Sequence, residues 1–425
     1  VRCLLTNILL KYHALFSETE RQIESRLRSV SELVLANQAR VLSAFQELRI
    51  DETCFFDSTG YGYHDIGREK LDMLYALVFG GEAGLVRPHF VSGTHAIASC
   101  LFGILRPGNR LVSLTGRPYD TLHRALGLTA GAHDGLSSLG INYSEADLRY
   151  GLSDRELDRV LTSDTRVVLL QRSRGYTERR SLTTEDIEAL VQAVKRRLPD
   201  AVVFVDNCYG EFVEQREPCH VGADLIAGSL IKNPGGGLAP SGGYVVGRSD
   251  LVEQAARHMT APGLGCAIGC MTGVKRLYYQ GLFMAPHQTG EALKGAILAA
   301  ALFSRLGYQV NPAWDEVRGD IVQAIRLEDP DLLRKFCRAV QRASPVDSYV
   351  IPQPAAMVGY TDEIIMAAGT FIQGASSEFS ADAPLRSPYT VFVQGGLTFE
   401  HAKLALAGIL DDLWPEKAHN GTGIS

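Results

Sequence analysis

Three continuous apolar runs restrict the fold more than any other feature. They are "TRVVLLQRS" from Thr165, "DAVVFVDN" from Asp200 and "ADLIAGSLI" from Ala223, and each stops in polar residues. A strand with one solvated face alternates apolar and polar positions. Runs without alternation belong to strands buried on both faces, as in parallel sheets. Helix patterns separate the runs. Ser153 with Glu156, and Thr183 with Asp186, have the spacing of capping boxes. Upstream, "GLVRPHFVSG" and "NRLVSLTG" read as extended, and "REKLDMLYALVFG", "THAIASCLFGIL" and "YDTLHRALG" as helices. This alternation predicts an α/β fold with an open, mostly parallel sheet.

The pattern changes along the 425 residues, a length that suits two or three domains. Residues 17–48 carry apolar positions at three- and four-residue spacing and predict a helix. The expected division is an N-terminal helical arm over 1–50, a large domain over 51–285, and a connecting helix with a smaller α+β domain over 286–425. The last part contains helical "GEALKGAILAAALFSRLG", "DLLRKFCRAV" and "FEHAKLALAGILDDL", and strand-like "DIVQAIRLE", "EIIMAAGTFIQGA" and "YTVFVQGG". The tail "HNGTGIS" reads as frayed. The net charge is -6 and no basic run occurs, so no nucleic-acid partner is expected. No apolar run reaches membrane-spanning length, so no membrane association is expected either. The eight cysteines show no zinc spacing, which points to no metal site and to a reducing, cytoplasmic setting.

In open α/β sheets ligands bind at the carboxyl ends of strands. Four groups stand there. Ser92, Gly93 and Thr94 lie between an extended run and a helix, either as an anion site or as an ordinary helix cap. Asp206 ends "VVFVD", where a carboxylate can hold a metal, a ribose or a protonated ring nitrogen, or simply cap the strand. Lys232 follows an apolar strand and Ser229, and precedes three glycines. Burial should lower its pKa toward a nucleophilic range; the alternative is a lysine that snorkels to water. Tyr119 can stack on a flat ligand or pack in the core. Taken together, a phosphate cup, an aromatic, a strand-end acid and a lysine are what pyridoxal 5'-phosphate needs.

The motifs "STGYGYHDIGREKLDMLYALVFGGEAGLVRP", "SGTHAI", "GRPYDTL", "QRSRGY", "VDNCYGEF", "GSLIKNPGGGLAPSGGYVVG", "YQGLFMAPHQTGEALKGA" and "SPYTVFVQGGLTFEHAK" extend over nearly the whole chain. On them the chain resembles the aluminium-resistance, or methionine gamma-lyase-like, branch of the cysteine/methionine-metabolism enzymes that use pyridoxal phosphate. The resemblance implies a fold-type-I enzyme, a homodimer or homotetramer with active sites shared between subunits. Lys232 would bind the cofactor aldehyde, Asp206 the pyridine nitrogen, and Ser92, Gly93, Thr94 and Ser229 the phosphate. Tyr119 would stack on the ring. Tyr61, Tyr63 and Arg68 match the stretch that related lyases lend to a neighbour's phosphate. The small-domain arginine that binds the substrate carboxylate in better-known gamma-lyases has no matching motif here. Arg386 and Arg172 are the candidates, since a guanidinium fork suits a carboxylate. The implied reaction is carbon–sulfur cleavage of an amino acid into thiol, 2-oxo acid and ammonia, with Lys232 as base and Tyr119, or a tyrosine borrowed from the neighbouring subunit, as acid. An aminotransferase, racemase or aldolase would use the same lysine and acid, and a non-catalytic regulatory protein could keep the fold.

Overall fold

The computed structural model describes residues 4–414 except 63, 130–132, 152, 358, 359 and 361. Tyr63 and the tail "HNGTGIS" lie outside the described residues. The apolar runs form the centre of a seven-stranded sheet. Its strands are β1 (Ala83–Arg87), β2 (Arg110–Ser113), β3 (Asn142–Glu145), β4 (Thr165–Gln171), β5 (Val202–Asp206), β6 (Leu225–Ser229) and β7 (Gly243–Gly247), in the order β1-β7-β6-β5-β4-β2-β3. The pairs β2–β3, β2–β4, β4–β5 and β5–β6 are parallel, and β7 runs antiparallel to both its neighbours. Successive strand residues point to opposite faces. Val168, Leu170, Val203 and Val205 enter one hydrophobic cluster, and Val167, Leu169, Val202 and Phe204 another. Two covered faces explain why these strands carry no polar alternation.

The helix starts follow their caps. Thr183 and Asp186 form a full capping box on the helix Thr184–Arg197. Ser153 accepts from the Glu156 N–H and begins Asp154–Val160. The N-terminal helix, His13–Glu47, is followed much later by a second long helix, Lys275–Arg305. That helix starts well before Gly290, where the sequence pattern places it, and runs through Pro286. No helix among the described residues is long and apolar enough to cross a membrane.

A second sheet has β8 (Gln309–Asn311), β9 (Gln323–Arg326), β10 (Ile364–Ala367), β11 (Ser380–Pro384) and β12 (Thr390–Gln394), all antiparallel, in the order β10-β11-β12-β9-β8. A third cluster joins it to Ile8 of a short first helix, Leu4–Lys11, to Phe16 and Ile23 of His13–Glu47, to Lys275–Arg305 and to the last helix, Phe399–Leu413. The predicted extended segment "EIIMAAGTFIQGA" is a strand only to Ala367. Beyond it, the Phe371 and Ile372 N–H groups donate to the Glu378 carboxylate instead of to a neighbouring strand.

Candidate active site

The carboxyl ends of β4, β5 and β6 share one edge. Register sets Gln171 opposite Asp206, and Asp206 opposite Ala227. Because β7 returns antiparallel, the chain from Ser229 to Gly243 turns over that same edge, and Lys232 sits in the turn. A cleft of about 400 Å³ opens there. Ser92, Gly93, Thr94, Tyr119, Asp206, Ser229 and Lys232 all line it.

Ser92 caps the helix Gly93–Ile104, its Oγ accepting from the His95 N–H at 3.1 Å. A Cβ on Gly93 would come within 3.2 Å of Ser229 Cβ and 3.3 Å of Cys208 Sγ, so this helix end lies close against β6, where a side chain would be crowded. The result is an N-terminal helix end flanked by hydroxyls, a setting that favours an anion. Thr94 Oγ1 lies 3.0 Å from the Tyr119 hydroxyl, and the Tyr119 N–H donates to Gln171 Oε1 at 2.8 Å. Burial holds the Tyr119 phenol well above its usual range, so it keeps its proton at neutral pH.

Asp206 is buried and makes no ion pair among the described residues; its Oδ1 accepts from the Cys208 N–H at 3.2 Å. Burial pushes its carboxyl up to about 6, against the hydrogen bonds from Cys208. A buried carboxylate without a salt bridge fits a protonated ring nitrogen. Lys232 Nζ donates to Ser376 Oγ at 3.1 Å and lies 3.9 Å from the centre of the Tyr209 ring. The expected fall of its pKa is not found. Burial pulls the ammonium down, but Tyr209, Cys208 and Asp382 around it hold it above the usual lysine value. The glycines have a packing reason. Gly236 has φ +56°, and a Cβ there would collide with the Gly281 carbonyl of the helix Lys275–Arg305. The loop rests backbone to backbone on that helix.

The methionine gamma-lyase family model matches residues 12–414. The chain belongs to the methionine gamma-lyase family. The Bacillus subtilis protein YnbB is 48% identical over 402 residues, 93% of this chain and 95% of its own. The structure of an aluminium-resistance protein from Listeria monocytogenes is similar at TM-score 0.92 and 46% identity, covering 94% of this chain and 100% of that one. A carbon-sulfur lyase involved in aluminium resistance, from Clostridium novyi, is similar at TM-score 0.90 and 48% identity, covering 95% and 98%. The architecture is the type I fold of pyridoxal-phosphate enzymes, a large mostly parallel sheet with a smaller antiparallel one.

The other candidate residues lie away from the centre of the cleft. Arg172 does not reach the cleft. It is fully buried, with Nη1 bonded to Asn207 at 2.8 Å and Glu217 at 3.4 Å, and Nη2 bonded to Glu214 at 2.8 Å. Arg68 makes its hydrogen bonds within its own chain. Its guanidinium is buried against the carbonyls of Gly60, Ala267 and Gly269, tying the two loops together. Arg386 does line the cleft, at its exposed rim, held by Asp362 at 2.8 Å and the Tyr176 carbonyl at 2.9 Å. Tyr61 is 77% exposed and lies outside its own subunit's cleft.

Sequence reasoning missed two residues of the cleft wall, Tyr209 and Tyr176, and the Lys232 partner Ser376. Tyr209 holds a left-handed backbone, φ +70°, which is uncommon for a bulky aromatic. Its place three residues after Asp206, on the same strand exit, was the available signal. Tyr176 also lines the cleft, its hydroxyl donating to the buried Asp382 at 2.8 Å. Ser376 lies in an irregular segment with no periodic pattern and gave no signal.

Proposed function

We propose that the chain is a pyridoxal-phosphate-dependent carbon–sulfur lyase, which releases a thiol from the β- or γ-carbon of an amino acid and leaves a 2-oxo acid and ammonia. One observation carries this reading: Lys232, Asp206, Tyr119, Ser229 and the helix end at Ser92–Thr94 converge on a single cleft. The name of the Clostridium novyi relative supports the reaction class. The cofactor, when bound, supplies an aldehyde for the amine and a ring that takes up electrons from the α-carbon. The helix end, with the hydroxyls of Ser92, Thr94 and Ser229, would bind its phosphate. The Asp206 carboxylate would keep a proton on the ring nitrogen. Lys232 would bind the aldehyde and then move the α-proton as the base. The Tyr119 phenol, protonated at neutral pH, would give its proton to the departing sulfur. The reading includes a homo-oligomer, with the exposed Tyr61 directed to a neighbour's phosphate site.

The test pairs a spectrum with a product assay. The purified protein should show a visible band that borohydride removes and that Lys232→Ala lacks. Sulfur amino acids should yield thiol and 2-oxo acid in equal amounts. A protein that stays colourless with added pyridoxal phosphate refutes the cofactor assignment. A coloured one that forms 2-oxo acid without thiol is a different enzyme of the same fold.

A further inference from the structure

We propose that Arg179, rather than Arg386 or Arg172, holds the α-carboxylate of the amino-acid substrate. This rests on the reading of the cleft as an amino-acid site. Among the described residues, four arginines line the cleft: Arg117, Arg174, Arg179 and Arg386. Arg174 is buried, gives Nη1 to Asn311 and pairs with Asp320 at 3.7 Å. Arg386 is paired with Asp362. Arg117 is exposed and gives Nη2 to the Leu128 carbonyl at 3.3 Å.

Arg179 differs from all three. It is half-buried, and it forms no ion pair among the described residues. Its protein bonds all go to main-chain carbonyls. Nε donates to Arg174 O at 3.1 Å, and Nη1 to Thr115 O at 2.9 Å and Arg117 O at 3.1 Å. These bonds fix the guanidinium plane without neutralising its charge. Nη2 makes no hydrogen bond among the described residues, so both of its N–H groups are left for a ligand. The three carbonyls belong to the loops leaving β2 and β4, at the carboxyl edge, and Arg117 is two residues from Tyr119. Burial and the nearby Arg149 pull Arg179 down to about 10, against the more distant carboxylates of Asp147 and Asp120, neither of which forms a salt bridge with it, and this leaves it charged at neutral pH. A fixed, partly desolvated cation facing a ligand cleft selects an anionic group. On an amino acid whose amine goes to the cofactor, that group is the carboxylate.

The test is calorimetric titration of the cofactor-loaded protein with L-alanine, which has no leaving group, and with L-alaninamide, which lacks the carboxylate. Arg179→Gln should weaken L-alanine at least tenfold and leave L-alaninamide within twofold. Arg179→Lys, which keeps the charge, should fall between parent and Arg179→Gln, and it carries the test if the glutamine variant does not fold. Arg386→Gln should stay within threefold for both ligands. The inference is overturned if Arg179→Gln binds L-alanine as the parent does, loses both ligands together, or loses the cofactor instead, as a phosphate contact would. Thiol release by the parent is a separate readout. A parent that binds L-alanine through Arg179 but releases no thiol keeps this inference and refutes the lyase reading. A parent that binds neither ligand refutes both.

Discussion

Lys232 Nζ donates to Ser376 Oγ at 3.1 Å, across 144 residues of chain. The next residue repeats the connection, Ser377 Oγ donating to the Ile231 carbonyl at 3.4 Å. Two adjacent serines before β11 therefore tie the loop that carries the lysine to the segment leading into the second sheet. A hydrogen bond to a charged group is worth about 1.5–3 kcal/mol. Ser376→Ala is expected to lower kcat about tenfold, with the thermal midpoint within about 3 °C of the parent. Kinetics of thiol release beside a melting curve check both halves.

Asp206 gives a pH-dependent prediction for the cofactor-free protein. Its carboxyl titrates at about 6 when folded and at about 3.9 when unfolded. Between these values the folded state holds a proton that the unfolded state has lost, so stability falls as pH rises through the window. Above pH 6 the full cost, about 3 kcal/mol, is present. Asp206→Asn should therefore melt several degrees higher than the parent at pH 7.5, with the advantage vanishing toward pH 4. The same variant should hold pyridoxal phosphate more weakly. Calorimetry at the two pH values decides, and equal gains at both would show that Asp206 is not desolvated.

Arg172 and Arg386 should fail in opposite ways. Arg172 is enclosed with Glu217, and neither side chain is exposed. Removing one partner of a buried pair costs about 3–5 kcal/mol, so Arg172→Met should melt far below the parent or not accumulate as folded protein. Arg386 and Asp362 form a pair at the surface, where such pairs contribute about 0–1 kcal/mol. Arg386→Met should leave the midpoint nearly unchanged. A stable Arg172→Met protein with a raised KM would restore Arg172 to the substrate site.

Gly281 tests the seat of the lysine loop. A side chain there would run into the Gly235 carbonyl. Backbone cannot yield as a flexible side chain does, and overpacking costs about 1–3 kcal/mol. Gly281→Ala should lower the thermal midpoint and weaken cofactor retention together, although residue 281 does not line the cleft. Dialysis against a carbonyl reagent, followed by absorbance, measures the retention.

Much of the fold was legible in the chain because burial on two faces leaves a pattern. The runs at β4, β5 and β6 and the capping box at Thr183 all became the elements they predicted. The strands that went unread have no such pattern. β7 lies within the glycine-rich stretch, and β11 is "SADAP", small residues without a long apolar side chain, although Ala381 and Ala383 enter the third cluster. Strand ends at one edge likewise made Asp206, Ser229 and Lys232 readable as a group, since parallel strands must end together.

The arginines were not readable, because a guanidinium's role is set by what faces it. Arg172, Arg174 and Arg179 stand within eight residues of one another in "RSRGYTER". Arg172 meets Glu214 and Glu217, Arg174 meets Asp320 of the second sheet's approach, and Arg179 hydrogen-bonds only to carbonyls among the described residues. The lysine's pKa has the same origin: local sequence supplied the burial, while Tyr209 and Asp382 arrived by folding. The sequence by itself determined the strands, their shared edge and the cofactor-type residues upon it, because hydrophobic periodicity and strand direction are local. Only the tertiary structure decided which charges were already neutralised and which still face the cleft, because pairing depends on partners that the chain brings from far away.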